Sequence, residues 1–444
     1  MKLSIKKETL QQFLSLMVLM VGFIIGGNIG VIISICALIL LQVNAKCYVW
    51  RVLFLALLFQ NAFQQAASGT AFYQAISYFD EIVELLCIVF IALDLKRKIF
   101  LFVPGEIIIF IGYIGYLLIE IISTINYGKT SLILAIMDAF VSAKFIVYFL
   151  AGMRFADKYK SSIKDKIVSI NVTCRSVAVV LFIIAMHDLL FSPFFERQDF
   201  RFFTYSIRLC FQHPTYLAAA CLMCIVVMII GMKYELNNFK YIILLSIVTL
   251  FSFRSKAIAG VFVVIAIYCI YVRKKLPIRK ALLIVAGFAV VYMGSASFDM
   301  YFVAGEYTPI RLKLISDGIN IAQQYFPLGS GLATFGTTIA FENKSVFYSN
   351  LGYLSGYYEG QAVGDTFWAG IFAQAGMIGS LLFLLVIIAM VYQSIKKIGR
   401  EKYSGWCMLS IIIYATISST AESAFFNPAI AMMFIIYGIA TVMI

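Results

Sequence analysis

Long runs of apolar residues, separated by short polar or basic segments, dominate this chain. Residues 11–25, 81–93, 100–122 and 282–296 are long, apolar and nearly free of charge. A helix that crosses a hydrocarbon core about 30 Å thick needs an apolar segment of this kind. The pattern therefore predicts an all-α protein, built as a polytopic bundle of transmembrane helices.

The composition points the same way. Of the 444 residues, 62% are hydrophobic and 13% are charged, whereas a soluble domain has roughly 45–50% apolar and about 25% charged residues. A soluble fold could not cover this much apolar surface with so few charges. The composition therefore excludes an ordinary soluble protein.

The basic residues indicate how the helices are oriented. The net charge is +13, but the basic residues form short clusters between apolar segments, so we do not expect nucleic acid as a partner. Cytoplasmic loops of membrane proteins carry an excess of Lys and Arg. The clusters lie near residues 2–7, 46–51, 96–98, 154–166, 233–240, 273–280 and 396–402. These loops and both termini are therefore predicted to be cytoplasmic.

Alternation of the cytoplasmic loops predicts about 12–14 membrane spans. The spans are predicted at 9–25, 28–43, 50–66, 81–95, 99–123, 131–152, 167–188, 213–232, 239–253, 256–272, 280–298, 366–393, 404–421 and 427–443.

Four regions follow from this assignment. Residues 1–190 hold N-terminal transmembrane helices, and 191–298 hold transmembrane helices with outer-face Arg and His motifs. Residues 299–365 form one large external loop, and 366–444 hold the C-terminal transmembrane helices. The loop is rich in Tyr, Phe and Gly and poor in charge runs. Long loops of this kind are usually functional, and the composition predicts an ordered, partly buried lid.

Several cations lie at the predicted outer ends of spans, against the positive-inside bias. The main ones are Arg208, Arg254 and Arg311, with Lys256 close to the second. A cation near hydrocarbon is costly, at about 2.5–3.5 kcal/mol for the centre of a helix. Converging arginines therefore suggest an anionic ligand, such as a diphosphate on a lipid. Alternatively, each cation reaches the headgroups or pairs with a nearby acid. The candidate acids are Glu196, Asp199, Glu306 and Asp317.

Three charged residues fall inside predicted spans, namely Asp138, Lys144 and Arg175. They would be costly if they faced lipid. We expect them to pair inside the bundle, and a proton or ion pathway is the functional alternative.

The order of the outer-face motifs resembles the bacterial O-antigen polymerase and O-antigen ligase family. The resemblance covers roughly residues 201–385. The motifs are Arg208-Leu-Cys-Phe-Gln-His213-Pro214-Thr-Tyr216, Phe253-Arg254-Ser255-Lys256, Arg311, Pro327-Leu-Gly329-Ser-Gly331, Gly364-Asp365 and Gly376-Met-Ile-Gly379.

The resemblance implies glycosyl transfer at the outer face of the bacterial cytoplasmic membrane. The donor would be a glycan linked to undecaprenyl diphosphate. Ligases tend to carry a histidine where this chain has Gly364-Asp365, so the resemblance favours a polysaccharide polymerase for O-antigen, capsule or exopolysaccharide. An O-antigen ligase, a flippase for lipid-linked oligosaccharide and a peptidoglycan glycosyltransferase are the alternatives. Membrane lipids, a chain-length regulator and a flippase are the expected partners.

The resemblance also suggests roles for individual residues. Arg208, Arg254 and Arg311, with Lys256 as a weaker member, would bind the leaving diphosphate without a metal or other cofactor. The attacking sugar hydroxyl needs a base, and the candidates are His213, Asp365 and Glu359. Instead, His213 and Asp365 could each cap a helix.

Aromatic residues of the loop are candidates for stacking on sugar rings. Those proposed to bind glycan are Tyr325, Tyr348, Tyr357 and Tyr358. The alternative is the belt of aromatic residues that any membrane interface shows.

Overall fold

The computed structural model describes residues 2–40, 47–95, 104–198, 200–201, 204–268, 270, 308–359 and 366–443. This part of the chain is helical apart from turns and one antiparallel pair of two-residue strands, β1 (Phe200–Arg201) and β2 (Thr204–Tyr205). Five of its helices are long and apolar enough to cross a membrane. The structure therefore confirms an all-α bundle of the membrane-protein type.

The first half contains nine helices within the described residues. They are α1 (Lys2–Ile25), α2 (Gly27–Leu40), α3 (Tyr48–Leu58), α4 (Gln60–Ala66), α5 (Phe72–Ser77), α6 (Phe79–Leu95), α7 (Pro104–Tyr127), α8 (Leu132–Lys158) and α9 (Ile163–Leu190).

The described residues of the second half add ten α-helices and two short 3-10 helices, Met232–Tyr234 and Gly356–Tyr358. The α-helices are α10 (Pro214–Gly231), α11 (Phe239–Leu250), α12 (Ser255–Ile267), α13 (Ile310–Gln324), α14 (Thr338–Glu342), α15 (Val346–Asn350), α16 (Phe367–Arg400), α17 (Lys402–Ser418), α18 (Pro428–Ala431) and α19 (Met433–Val442).

The helices follow the predicted spans closely, with two differences in continuity. The segment predicted at 50–66 is two helices, α3 and α4, which meet at Phe59. The segment predicted at 427–443 is likewise divided into α18 and α19. The segment predicted at 280–298 lies outside the described residues.

Helix α10 occupies the centre of the bundle. Nearly all of its side chains are buried, which fits a helix that is apolar on every face. It packs against α9, α11 and α17, while α8 packs against α19 and α7 packs against α16. Helix α10 is therefore surrounded by helices from both halves of the chain.

Two of the three charged residues predicted at membrane depth pair with polar side chains of other helices. Lys144 forms an ion pair with Asp80. Arg175 donates from Nε to Oδ1 of Asn238 at 2.8 Å. Pairing inside the bundle is thus confirmed for both cations, as the cost of an unpaired charge in hydrocarbon requires.

A turn from the predicted loop enters a break in α16. The helix is interrupted at Gly376, whose φ of 60° and ψ of −162° are not helical. The break releases the carbonyl oxygens of the preceding turn, which accept from the turn at residues 327–331. Ser330 N donates to Ala373 O at 2.8 Å, and Gly331 N donates to Gln374 O at 3.0 Å. Two of the predicted motifs, Pro327–Gly331 and Gly376–Gly379, therefore meet in space.

The same turn is held by polar side chains of α7 and α8. Leu332 N donates to Thr124 Oγ1 at 2.8 Å, and Ala333 N donates to Asp138 Oδ2 at 2.6 Å. Gln374 Nε2 also donates to Asp138 Oδ2, at 3.0 Å. Asp138 is thus paired inside the bundle as predicted, but its partners are loop and helix donors instead of a cation.

The described part of the large loop, residues 308–359, is folded and has a small core of its own. Phe335 stacks on Tyr348, with ring centroids 5.0 Å apart. Leu314 and Ile321 of α13 join this cluster, which packs on Ala369 of α16. The prediction of an ordered, partly buried segment is correct for these residues.

We predict that the contact between Gly329 and Gly376 is needed for stability. A Cβ on Gly329, where φ is 83°, would lie 2.4 Å from Gly376 N. A Cβ on Gly352, where φ is 76°, would meet no atom within 4 Å. Both Gly→Ala changes add backbone strain of about 1–2 kcal/mol, but only Gly329→Ala adds overpacking of about 1–3 kcal/mol.

Thermal unfolding of the detergent-solubilised protein, followed by tryptophan fluorescence, should therefore show a larger fall in Tm for Gly329→Ala than for Gly352→Ala. Equal shifts for the two variants would show that the backbone contact does not matter.

Candidate functional site

The Arg208 side chain is held at the predicted outer end of the bundle by its own segment. Its guanidinium donates from Nη2 to Glu196 Oε2 at 2.7 Å and from Nε to Glu196 O at 3.1 Å. Nη1 donates to Gln212 O at 3.2 Å. Arg208 is only 8% exposed, whereas the Glu196 side chain is largely exposed. The predicted alternative of an acidic partner is therefore realised, and it fixes the guanidinium beside Gln212.

Gln198 connects Arg208 with Arg254. Arg254 donates from Nη2 to Gln198 Oε1 at 3.2 Å, and Gln198 Nε2 donates to Gln212 O at 3.2 Å. The carbonyl of Gln212 therefore accepts from both Arg208 and Gln198. Two arginines that lie far apart in the sequence converge on one pair of glutamines.

His213 caps the helix that follows. Its Nδ1 accepts a hydrogen bond from Thr215 N at 3.3 Å and lies 3.0 Å from Thr215 Oγ1. Pro214 occupies the first helical position, which needs no backbone donor. The capping alternative is therefore realised, and it places the imidazole next to Gln212 at the start of α10.

The other two predicted cations have different surroundings. Lys256 Nζ lies 2.8 Å from Glu422 Oε1 in a largely buried ion pair between α12 and the segment after α17. Arg311 lies in the first turn of α13, within the folded loop. The structure thus joins Arg208 to Arg254 through shared partners and gives Lys256 an acidic partner elsewhere.

The loop tyrosines differ in exposure. Tyr348 is fully buried and its hydroxyl accepts from Gly336 N at 2.8 Å. Burial raises its pKa, so the hydroxyl stays protonated. Its ring is covered by protein in this arrangement. Tyr357 is 54% exposed, and its partly buried neighbour Tyr358 donates to Thr308 O at 3.0 Å.

Tyr325 and Glu359 lie at the margins of the described part of the loop. Tyr325 is partly buried and meets Tyr127 of α7 edge to face, with ring centroids 4.8 Å apart. Glu359 is exposed at the end of the 3-10 helix Gly356–Tyr358. Asp365 lies outside the described residues.

A polar cavity that the sequence analysis missed lies beside the Arg208 segment. It has a volume of about 160 Å³ and is lined by residues of α3, α4, α5, α6, α10 and α18. One wall is formed by Phe211 and Tyr216, which flank Gln212 and His213. Its polar lining residues are Gln60, Asn61, Gln64, Ser77, Asp80 and Glu81.

The acidic side of this cavity is organised by Lys144. Its ammonium forms a short ion pair with Asp80 Oδ2 and lies 3.2 Å from Glu81 Oε1. Gln60 Nε2 donates to Asp80 Oδ1 at 2.5 Å. Because Asp80 and Lys144 are almost completely buried, removing the Lys144 charge would leave the Asp80 carboxylate uncompensated.

The amide side of the cavity is joined to the arginines. Asn61 Nδ2 donates to Gln212 Oε1 at 2.9 Å, and Gln212 N donates to Asn61 Oδ1 at 2.9 Å. Asn61 also donates to Gln64 Oε1 at 3.2 Å. The cavity is therefore linked through Gln212 to the Arg208 and Arg254 guanidinium groups.

The sequence did contain a signal for this cavity. Four amide side chains, at positions 60, 61, 64 and 65, interrupt an otherwise apolar predicted span. Polar residues inside a membrane are costly and usually face the interior of the bundle. These four amides therefore indicate a polar surface inside the bundle.

An apolar groove adjoins the polar cavity, and the two share Leu57, Met223 and Met432 as lining residues. The groove has a volume of about 320 Å³ and is lined almost wholly by hydrocarbon and aromatic side chains of α3, α6, α8, α9, α10 and α19. Tyr159 and Lys166 are among its few polar lining residues. Its chemistry suits a hydrocarbon chain.

Comparisons with protein-family models and with curated proteins find no match to this chain. The motif resemblance therefore rests on the short motifs themselves.

We predict that Lys256 and Glu422 are coupled in stability. Their ion pair is largely buried, and contacting charges typically show coupling energies of about 0.5–3 kcal/mol. A double-mutant cycle with Lys256→Met and Glu422→Gln, measured as unfolding free energy, should give a favourable coupling in this range. A coupling of zero would mean that Lys256 has no structural partner in Glu422 and is available to a ligand.

Proposed function

We propose that this chain is a membrane glycosyltransferase, a polysaccharide polymerase that joins lipid-diphosphate-linked repeat units into O-antigen, capsule or exopolysaccharide. The observation that carries the proposal is the convergence of Arg208 and Arg254 on Gln198 and Gln212. Two guanidinium groups near one point of a membrane bundle form a candidate site for a multiply charged anion.

A lipid diphosphate has the required chemistry. When its bond to a sugar breaks, negative charge develops on the leaving phosphate oxygen. Preorganised guanidinium groups stabilise such charge without a metal, and removing one donor of this type typically costs about 10²–10³ in rate. Arg208 is held in place by Glu196 and Gln212, so little reorganisation would be needed when the anion arrives.

The apolar groove supports a substrate that is partly hydrocarbon. Its lining is almost devoid of polar groups, and such a cavity accommodates a chain from a bilayer lipid or from a lipid-linked substrate.

The proposed setting is the bacterial cytoplasmic membrane, with 12–14 spans and the reaction at the outer face. The predicted outer side carries the start of α10, the polar cavity and the folded loop. Arg311 and the exposed Tyr357 lie on that loop, where they could meet the glycan as it leaves the arginine pair. The pair Gly364-Asp365 favours a polymerase over a ligase.

We predict that Arg254→Ala abolishes polymerisation. Cells that lack the protein and express Arg254→Ala should carry single repeat units on their surface lipid, because the leaving diphosphate loses a stabilising cation. Arg311→Ala tests the loop cation in the same way. Lys129→Ala is the matched control, since Lys129 is an exposed cation in the α7–α8 connection, on the predicted outer side. Cells that express Lys129→Ala should make the normal polymer.

The glycan profile of these cells, taken from both surface lipid and carrier lipid, separates the alternatives. Polymer that accumulates on the carrier lipid of cells lacking the protein would contradict a polymerase and indicate a ligase. Repeat units trapped in the cytoplasmic leaflet would contradict both enzymes and indicate a flippase.

A further inference from the structure

Two residues that line the polar cavity carry buried hydrogen-bond acceptors without a donor. Gln60 is only 5% exposed, and its Oε1 has no hydrogen-bond partner among the described residues. Glu81 Oε2 also has no hydrogen-bond partner among these residues. Both residues line the cavity. Buried acceptors without donors cost about 1–3 kcal/mol each, so the cavity suits a ligand that brings its own donors.

The charge of the lining restricts that ligand further. Asp80 and Glu81 contribute two carboxylates, and their counterion Lys144 is buried behind them and is not among the lining residues. A diphosphate placed in the cavity would meet like charge. A hydrocarbon chain would leave the amide and carboxyl groups unsatisfied. A neutral molecule with several hydroxyl groups satisfies them, and a sugar ring is such a molecule.

The cavity is also correctly placed relative to the arginines. Asn61 lines it and exchanges two hydrogen bonds with Gln212. Gln212 in turn accepts from Arg208. A sugar in the cavity would therefore lie close to a diphosphate bound by Arg208 and Arg254.

We infer that this cavity binds the acceptor sugar, and that Glu81 is the base that takes the proton from its attacking hydroxyl. The inference rests on the proposed function and adds an acceptor site and a catalytic residue to it. Neither of these follows from the motif resemblance.

The reaction is balanced without a further reactant. The acceptor oxygen forms a bond to the anomeric carbon of the donor sugar while its proton passes to the Glu81 carboxylate. The bond between that carbon and the phosphate oxygen breaks, and its electron pair leaves with the lipid diphosphate. The proton on Glu81 then passes to water.

Glu81 is better suited to this role than its neighbour Asp80. Both oxygens of Asp80 are occupied, Oδ1 by Gln60 Nε2 and Oδ2 by Lys144. The Glu81 side chain is 31% exposed. Lys144 orients Glu81 through Oε1 at 3.2 Å, while Oε2 has no hydrogen-bond partner in the described structure.

The test uses the purified protein in lipid nanodiscs. The donor is the lipid-linked repeat unit extracted from cells that lack the protein. The acceptor is the lipid-free repeat-unit oligosaccharide, released from the same material by mild acid. Rates of chain extension are measured against acceptor concentration and against pH.

Glu81→Gln should lower kcat by about 10²-fold or more, as expected for loss of a positioned base, and should remove the acid limb of the pH profile. Glu81→Asp keeps the carboxyl group and should retain that limb at an intermediate rate. Gln64→Ala should raise the KM for the acceptor with little change in kcat. Glu84→Gln is the matched control, because Glu84 lies one turn along α6, is buried and does not line the cavity.

Glu84→Gln should therefore keep the wild-type rate. The inference is overturned if Glu81→Gln keeps the wild-type kcat and pH profile, or if Glu84→Gln lowers the rate as much as Glu81→Gln. Wild-type protein that extends no chain at all would overturn the proposed function itself. Gel filtration and the Tm of the Glu81→Asp variant establish whether the protein still folds when the carboxyl group at position 81 is moved.

Discussion

The two hydrogen bonds exchanged by Asn61 and Gln212 hold the candidate site together. They fix α4, from the first half of the chain, against the residue that precedes the His213 cap of α10. The carbonyl of the same Gln212 accepts from Arg208 and Gln198, and Gln198 accepts from Arg254. This link joins the acidic cavity to the two arginines.

A second constraint is that polar groups inside a membrane must find partners within the protein. Two regions meet it differently. At the acidic cavity, one lysine compensates two carboxylates. At the break in α16, the carbonyl groups of Ala373 and Gln374 accept from the turn at Ser330 and Gly331. The first solution leaves acceptors without donors in residues that line a cavity, whereas the second pairs the released carbonyl groups with backbone donors. We therefore assign a ligand only to the first.

Much of the fold could be predicted from the sequence, because apolar length and basic loops are local properties. The positions of the helices follow from them, and the folded character of residues 308–359 follows from the high content of Tyr, Phe and Gly in that segment. The helix breaks at Phe59 and Gly376 could not be predicted in this way. The break at Gly376 is stabilised by a turn more than forty residues earlier, and no local pattern around Gly376 shows that contact.

The candidate site was predicted only in part for the same reason. Arg208, Arg254 and His213 could be singled out because cations and a His-Pro step stand out in an apolar sequence. Their connection through Gln198 and Gln212 depends on long-range contacts. Glu81 was missed because it lies at the start of an apolar run, where a carboxylate looks like an ordinary helix-start residue. Its partner Lys144 is 63 positions away in the chain.

The central claim is that Arg208 and Arg254 bind the diphosphate of a lipid carrier. The most direct measurement is the affinity of the purified protein for a polyprenyl diphosphate, compared with the corresponding monophosphate, in wild type, Arg254→Ala and Lys129→Ala. Our account predicts that wild type and Lys129→Ala prefer the diphosphate and that Arg254→Ala loses this preference. An unchanged preference in Arg254→Ala would contradict it.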